Sequence, residues 1–240
     1  MHNETLRPES TPAGQTDFRP VVNSSTVTHS EGTLLDKYGR RISYVRLSIT
    51  DRCDFRCTYC MAEEMTFLPR HEVMSLEECL RVASVFVGLG VNKLRITGGE
   101  PLVRKDVMWL IERLGALPGL DNLVLTTNGS QLDRFATPLR AAGVKRINIS
   151  LDTINPVNFA KLTTCGRLED TLAGVESALE AGLTPVKLNV VLTEELSQKD
   201  LAYFIELVYN RPISVRFIEY MPIGGRPGGG PDVATVRKSL

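Results

Sequence analysis

Three cysteines crowd into one short run: Thr50-Asp51-Arg52-Cys53-Asp54-Phe55-Arg56-Cys57-Thr58-Tyr59-Cys60-Met61. The spacing is C-x3-C-x2-C. Thiolates this close together suit an iron–sulfur cluster. Cubane clusters usually take four cysteines, so three would leave one iron open to a substrate or cofactor. Zinc is the alternative, but a structural zinc site wants four protein ligands, commonly from two paired motifs. The fourth would have to come from Cys79, Cys165 or a histidine, and His71 is the only histidine beyond the N-terminal tail. Five cysteines make an odd count with three clustered, which speaks for a metal site in a reducing compartment rather than a disulfide framework. Cys79 reads as core on a helix, and Cys165 as a loop residue without a partner.

Elements must carry that run to a working position. Candidate strands are Tyr44–Thr50, Lys93–Thr97, Asn122–Thr127, Arg146–Leu151, Pro185–Leu192 and Ser214–Tyr220. Helical patterns lie between them, near Leu102–Leu117, Leu132–Ala142, Leu168–Ala181 and Gln198–Tyr209. The clearest helix begins at Ser75, where Ser75-Leu76-Glu77-Glu78 reads as a capping box. Gly90, Gly143 and Gly182 sit where helix C′ glycines belong. Six βα-type units predict an α/β fold with a parallel sheet covered by helices. The cysteine run follows the first strand, at the end of βα units where active sites gather.

The strands alternate in character. Leu47, Ile49, Leu94, Ile96, Leu123, Leu125, Ile147, Ile149, Leu151, Val186, Leu188 and Val190 form one face. Arg46, Ser48, Thr50, Arg95, Thr97, Thr126, Asn128, Asn148, Ser150, Asp152, Lys187 and Asn189 form the other. In the last strand Arg216 alternates with Ile218. A packed barrel core would put branched apolar residues inside, so a basic, polar interior predicts a cavity for an anionic ligand. A wetted antiparallel sheet would give the same alternation; the intervening helices favour the parallel reading.

The chain has 240 residues, 42% hydrophobic and 23% charged, with 28 basic and 28 acidic side chains. Size and composition suit one globular domain. Zero formal net charge advertises neither a nucleic-acid nor a membrane surface. No apolar run approaches the roughly 18 residues of a membrane span. The first thirty residues lack a secretory apolar stretch, and Glu4, Glu9 and Asp17 argue against a transit peptide. The expectation is a soluble cytoplasmic protein. The domain limits expected are a disordered tail over 1–33, a barrel over 34–223, and a flexible loop with a helical start over 224–240.

C-x3-C-x2-C with an aromatic before its last cysteine resembles the radical S-adenosylmethionine (SAM) superfamily, and Thr97-Gly98-Gly99-Glu100-Pro101 resembles that superfamily's GGEP motif. Arg46–Cys53, Lys93–Leu102, Leu125–Gly129, Arg146–Asp152, Val186–Val191 and Arg216–Met221 narrow the likeness to the GTP 3′,8-cyclase (MoaA) family of molybdenum cofactor biosynthesis. The resemblance implies a partial (β/α)6 barrel. It implies that Cys53, Cys57 and Cys60 ligate a 4Fe–4S cluster and serve catalysis. Tyr59, Gly98, Gly99, Glu100, Pro101, Ser150 and Met221 would bind SAM. Arg46, Arg95, Thr126 and Lys187 would bind GTP, with Arg216 beside them. The implied reaction turns GTP into 3′,8-cyclo-7,8-dihydro-GTP. Its implied partners are a flavodoxin- or ferredoxin-like electron donor and a downstream cyclic pyranopterin monophosphate synthase.

The family pattern is not complete here. Its C-terminal extension carries three more cysteines for a second cluster that holds guanine, and it ends in Gly-Gly. After Met221 this sequence has a glycine-rich run without the Lys-Ser/Thr of a P-loop. Cys165 also stands where the family has basic residues. Three outcomes follow: a cyclase fragment impaired in cyclisation, a radical SAM enzyme for another substrate, or a non-catalytic binding remnant.

Overall fold

Tyr44–Ser48 (β1), Lys93–Thr97 (β2), Asn122–Thr127 (β3), Val144–Ser150 (β4), Val186–Leu192 (β5) and Ile213–Glu219 (β6) form one six-stranded sheet. Every neighbouring pair is parallel and the order is β1-β2-β3-β4-β5-β6. The computed structural model describes residues 33–61, 64–221 and 229–239. The expected tail, Thr33 apart, and most of the glycine-rich run lie outside the described residues.

Helices fill the crossovers: Leu76–Gly88 (α1), Val107–Gly115 (α2), Leu132–Ala141 (α3), Pro156–Thr163 (α4), Leu168–Glu180 (α5), Gln198–Asn210 (α6) and, after β6, Val233–Ser239 (α7). Ser75 accepts from the Glu78 backbone and Glu78 answers at the Ser75 backbone, so the capping box is real. Gly90, Gly143 and Gly182 have φ of 92°, 89° and 73°, the left-handed conformation that ends a helix cheaply only with glycine.

One expectation fails locally, and one element is additional. The single helix over Leu102–Leu117 is a 3-10 turn, Pro101–Val103, followed by α2. Asp106 between them has a φ of 59°. The Arg104 guanidinium also reaches the Ile49 and Met74 carbonyls, a tie that a continuous helix would redirect. Helix α4 was not expected; Asn155 caps it through two backbone N–H groups and Pro156 opens it.

The apolar strand face lies under the helices. Leu94, Ile96, Leu125, Ile147, Ile149, Leu188 and Val190 are buried in one cluster with Leu110, Leu114, Leu139, Ala178 and Phe204 from the helices. Each of the larger side chains, Ala178 excepted, contributes about 1.5–3 kcal/mol. The polar residues therefore share the opposite, concave face, as the alternation requires. β1 and β6 end the sheet, which makes it the partial (β/α)6 barrel. No described helix is long and apolar enough to cross a membrane.

Candidate functional site

The cysteine run leaves β1 and is pinned at several points. Phe55 is buried and meets Phe159 edge-on with ring centroids 6.0 Å apart. The backbone N–H groups of Arg56 and Thr58 donate to the Thr163 and Leu162 carbonyls at 2.9 and 2.8 Å. Thr164 donates its hydroxyl to the Arg56 carbonyl at 2.8 Å, and the Cys165 thiol donates to the Asp54 carbonyl at 3.0 Å. From β3's end, Asn128 Nδ2 and Ser130 Oγ each donate to Asp54 at 2.7 Å. From β4's end, Asp152 accepts the Tyr59 hydroxyl at 2.6 Å and, on its other oxygen, the Val191 N–H at 2.8 Å.

Cys53 and Cys57 are partly buried and Cys60 is exposed; among the described residues no cysteine is in a disulfide. Cys53 Sγ accepts from the Phe55 N–H at 3.4 Å and from Asn128 Nδ2 at 3.9 Å. Burial, with the negative charges of Asp54 and Glu100, pushes the Cys53 thiol up to about 11. Burial pushes Cys57 higher still, with Asp152 adding to it. Both are therefore thiols at neutral pH until a metal displaces the proton. Among the described residues, no three His, Cys, Asp or Glu side chains converge on one ion. A cubane asks for a different arrangement, because each thiolate binds a separate iron.

The Gly98–Pro101 turn sits directly against this loop. Gly99 N–H donates to the Thr50 carbonyl and Glu100 N–H to the Arg52 carbonyl, both at 2.8 Å. A Cβ on Gly98 would lie 2.5 Å from Thr50 O, and one on Gly99 would lie 2.3 Å from Arg52 O. Only glycine lets the two backbones meet so closely. The Glu100 carboxylate is buried and turned inward. It accepts from Leu102 N–H, the Thr127 hydroxyl and Asn128 N–H at 3.0, 2.9 and 2.7 Å. Its side chain thus braces β2 to β3, and any ligand contact from Glu100 falls to its backbone.

Burial lifts Glu100 to about 7 against those three hydrogen bonds. The folded chain then holds a proton that the unfolded chain loses near 4.5. Between those values the folded state binds more protons, so this group's contribution to stability declines as pH rises from about 4.5 to 7. Urea midpoints across that range should fall, and Glu100→Gln should flatten the profile. An unchanged slope in the variant would assign the effect to other groups.

The concave face gathers cations. Arg95 Nε donates to the Tyr44 hydroxyl at 2.6 Å and its Nη1 to Thr126 Oγ1 at 3.0 Å. Lys93 and Lys187 are each held below the ordinary lysine range by burial and by repulsion from Arg95, Arg146 and Arg216. Among the described residues none of these five cations makes an ion pair. Arg46, on edge strand β1, stands opposite Arg95 in register and is exposed. Lys93 and Arg146 were not anticipated, although each lies two residues before an anticipated polar position. Asn148 Nδ2 and Asn189 Oδ1, on this face, are buried without a partner among the described residues. Ser150 lies beside Asn189 in register. Tyr220 meets Tyr59 edge-on at 6.4 Å, and Met221 is exposed at the end of the described segment.

The model of the radical SAM superfamily matches residues 47–208. The chain belongs to the radical SAM superfamily. This radical SAM chain is 52% identical over 195 residues to a GTP 3′,8-cyclase of Pseudomonas savastanoi pv. phaseolicola, covering 81% of this chain and 59% of the relative. It is 47% identical over 206 residues to a GTP 3′,8-cyclase of Rhizobium etli, covering 85% and 59%. The chain thus spans less than two thirds of the length of these curated relatives. Among solved structures it resembles Streptococcus suis SuiB bound to S-adenosylmethionine, with a TM-score of 0.66, 18% identity, and coverage of 82% of this chain and 45% of that one. Methylornithine synthase (PylB) aligns with a TM-score of 0.61 and 14% identity, covering 82% and 60%. At these identities the likeness concerns the radical SAM fold.

Radical SAM membership implies a 4Fe–4S cluster and S-adenosylmethionine. The residues present fit both. Three thiols stand on one pinned loop, while Cys79 is buried on α1 and the Cys165 thiol bonds to the Asp54 carbonyl. Buried polar atoms without partners among the described residues, on Asn148 and Asn189, line the face below, where polar ligands would satisfy them.

Proposed function

We propose that this chain is the barrel of a GTP 3′,8-cyclase, acting at the first step of molybdenum cofactor biosynthesis. The observation that carries the reading is the concave face: Lys93, Arg95, Arg146, Lys187 and Arg216 gathered without carboxylate partners among the described residues, beneath a three-thiol loop. A triphosphate supplies the missing negative charge. The identity to GTP 3′,8-cyclases supports the same substrate.

In this reading Cys53, Cys57 and Cys60 hold the cluster. When bound, that cluster supplies one electron to S-adenosylmethionine and so a carbon radical able to take hydrogen from a substrate. The chain's own residues bind and orient. Phe55, Asp54 and the Tyr59–Asp152 pair fix the thiol loop. The Gly98–Pro101 backbone receives the methionyl ammonium, and Tyr59, Ser150 and Met221 line the rest of that ligand's place. Thr126 orients Arg95 toward the triphosphate, with Arg46 and Lys187 from the two sides. Positioning of this kind is worth several orders of magnitude in rate. The electron comes from a flavodoxin- or ferredoxin-like protein, and a downstream synthase consumes the product.

The 240-residue polypeptide should cleave S-adenosylmethionine and cyclise GTP weakly, since its sequence holds no second set of three cysteines. Anaerobic reconstitution followed by an assay for 5′-deoxyadenosine tests the first part. Lys187→Ala should weaken GTP binding about tenfold or more, the loss of one charged hydrogen-bond partner, with S-adenosylmethionine cleavage kept. Equal GTP affinity in that variant would remove Lys187 from the substrate site.

A further inference from the structure

The two flanks of the thiol loop carry opposite charge. On one flank a cleft of about 410 Å³ is lined by Arg52, Arg70, Arg104 and Lys105 together with Leu68 and Val103. Its one carboxylate, Asp51, is turned to the backbone and accepts the Leu68 N–H at 2.7 Å. Arg70 and Lys105 are exposed and make no ion pair among the described residues. One apolar side chain of this lining is well exposed among the cations: Leu68, at 50%. On the other flank, the cleft beside Thr58 and Tyr59 is lined by Glu194 and by Glu195, which pairs with Lys161 at 2.8 Å, and the adjoining cleft by Glu219 and Asp232.

We propose that the cationic cleft beside Arg52 is the docking face for an acidic one-electron carrier protein. The inference rests on reading the adjacent thiols as a cluster site. Electron transfer weakens steeply with distance, so a carrier must settle close to that loop. The concave face below is reserved for substrate, which leaves the two flanks. An acidic partner is attracted to the Arg70 side and repelled from the Glu194 side. Charge of this kind steers encounter and fixes orientation, while Leu68 and Val103 within the basic lining provide the apolar centre of an interface. The exchange balances simply. One electron leaves the carrier's reduced flavin or iron–sulfur centre and enters the cluster, and no proton need move.

The test uses the reconstituted chain and two donors: a reduced acidic flavodoxin, and photoreduced deazaflavin, which is small and uncharged. Cluster reduction is followed by bleaching of visible absorbance, and flavodoxin affinity by calorimetry. Arg70→Glu/Lys105→Glu should weaken flavodoxin binding and slow flavodoxin-driven bleaching at least tenfold. Deazaflavin-driven bleaching and iron content should stay within twofold of the parent. Added salt should weaken the parent's binding and leave the variant's nearly unchanged. Glu194→Lys, on the opposite flank, should bind flavodoxin as well as the parent or better.

Unchanged flavodoxin affinity in the double variant would overturn the proposal. So would equal slowing with both donors, or loss of binding in Glu194→Lys. Failure of deazaflavin to bleach the parent would instead defeat the cluster reading, and the docking proposal with it.

Discussion

Cys57→Ala should purify without oxygen as a nearly colourless protein, its iron falling from about four per chain to well below one. S-adenosylmethionine cleavage should disappear with the iron. Two thiolates cannot hold a cubane whose open corner already lacks a protein ligand. No other thiol can take over: Cys79 is fully buried on α1, and Cys165 rides on the α4–α5 loop, bonded to the Asp54 carbonyl. The fold should survive, because the loop is fixed by Phe55, Asp54 and Tyr59 rather than by Cys57. Far-ultraviolet circular dichroism matching the parent, beside lost iron, is the result expected. Full iron retention in the variant would refute the assignment of Cys57 as a ligand.

Gly99→Ala should damage the thiol loop without touching a cysteine. Its new Cβ would meet Arg52 O at 2.3 Å, Arg52 C at 2.6 Å and Asp51 O at 2.9 Å. All three are backbone atoms, so no rotamer change relieves the clash. One of the two paired segments must move, breaking the 2.8 Å bonds from Gly99 to Thr50 and from Glu100 to Arg52. Overpacking of this sort costs about 1–3 kcal/mol, and the displaced segment leads straight into Cys53. The expected outcome is a lower urea midpoint together with iron occupancy reduced by half or more. A variant with parental midpoint and iron would show that the interlock tolerates separation.

Much of this architecture can be read along the chain. Strand limits taken from alternation agree with the sheet to within two residues at either end, because a period of two decides which side chains face the helices. The Ser75 box and the C′ glycines are equally local. Helix α4 escapes notice because Asn155-Pro156 serves turns as readily as helix starts. The break before α2 escapes because Arg104 bonds to carbonyls that are 55 and 30 residues away in sequence.

The same division holds at the site. The three thiols, the double glycine turn and the polar parity of the strands are legible along the chain, since each is a matter of residue type at short spacing. It takes the folded chain to reveal that Asp54 is held by Asn128 and Ser130, that Tyr59 rests on Asp152, that Glu100 faces inward, and that the thiol loop has one basic and one acidic flank. These partners lie as far as 93 residues apart. Strand order and register bring them together, and neither is written in any local run of residues.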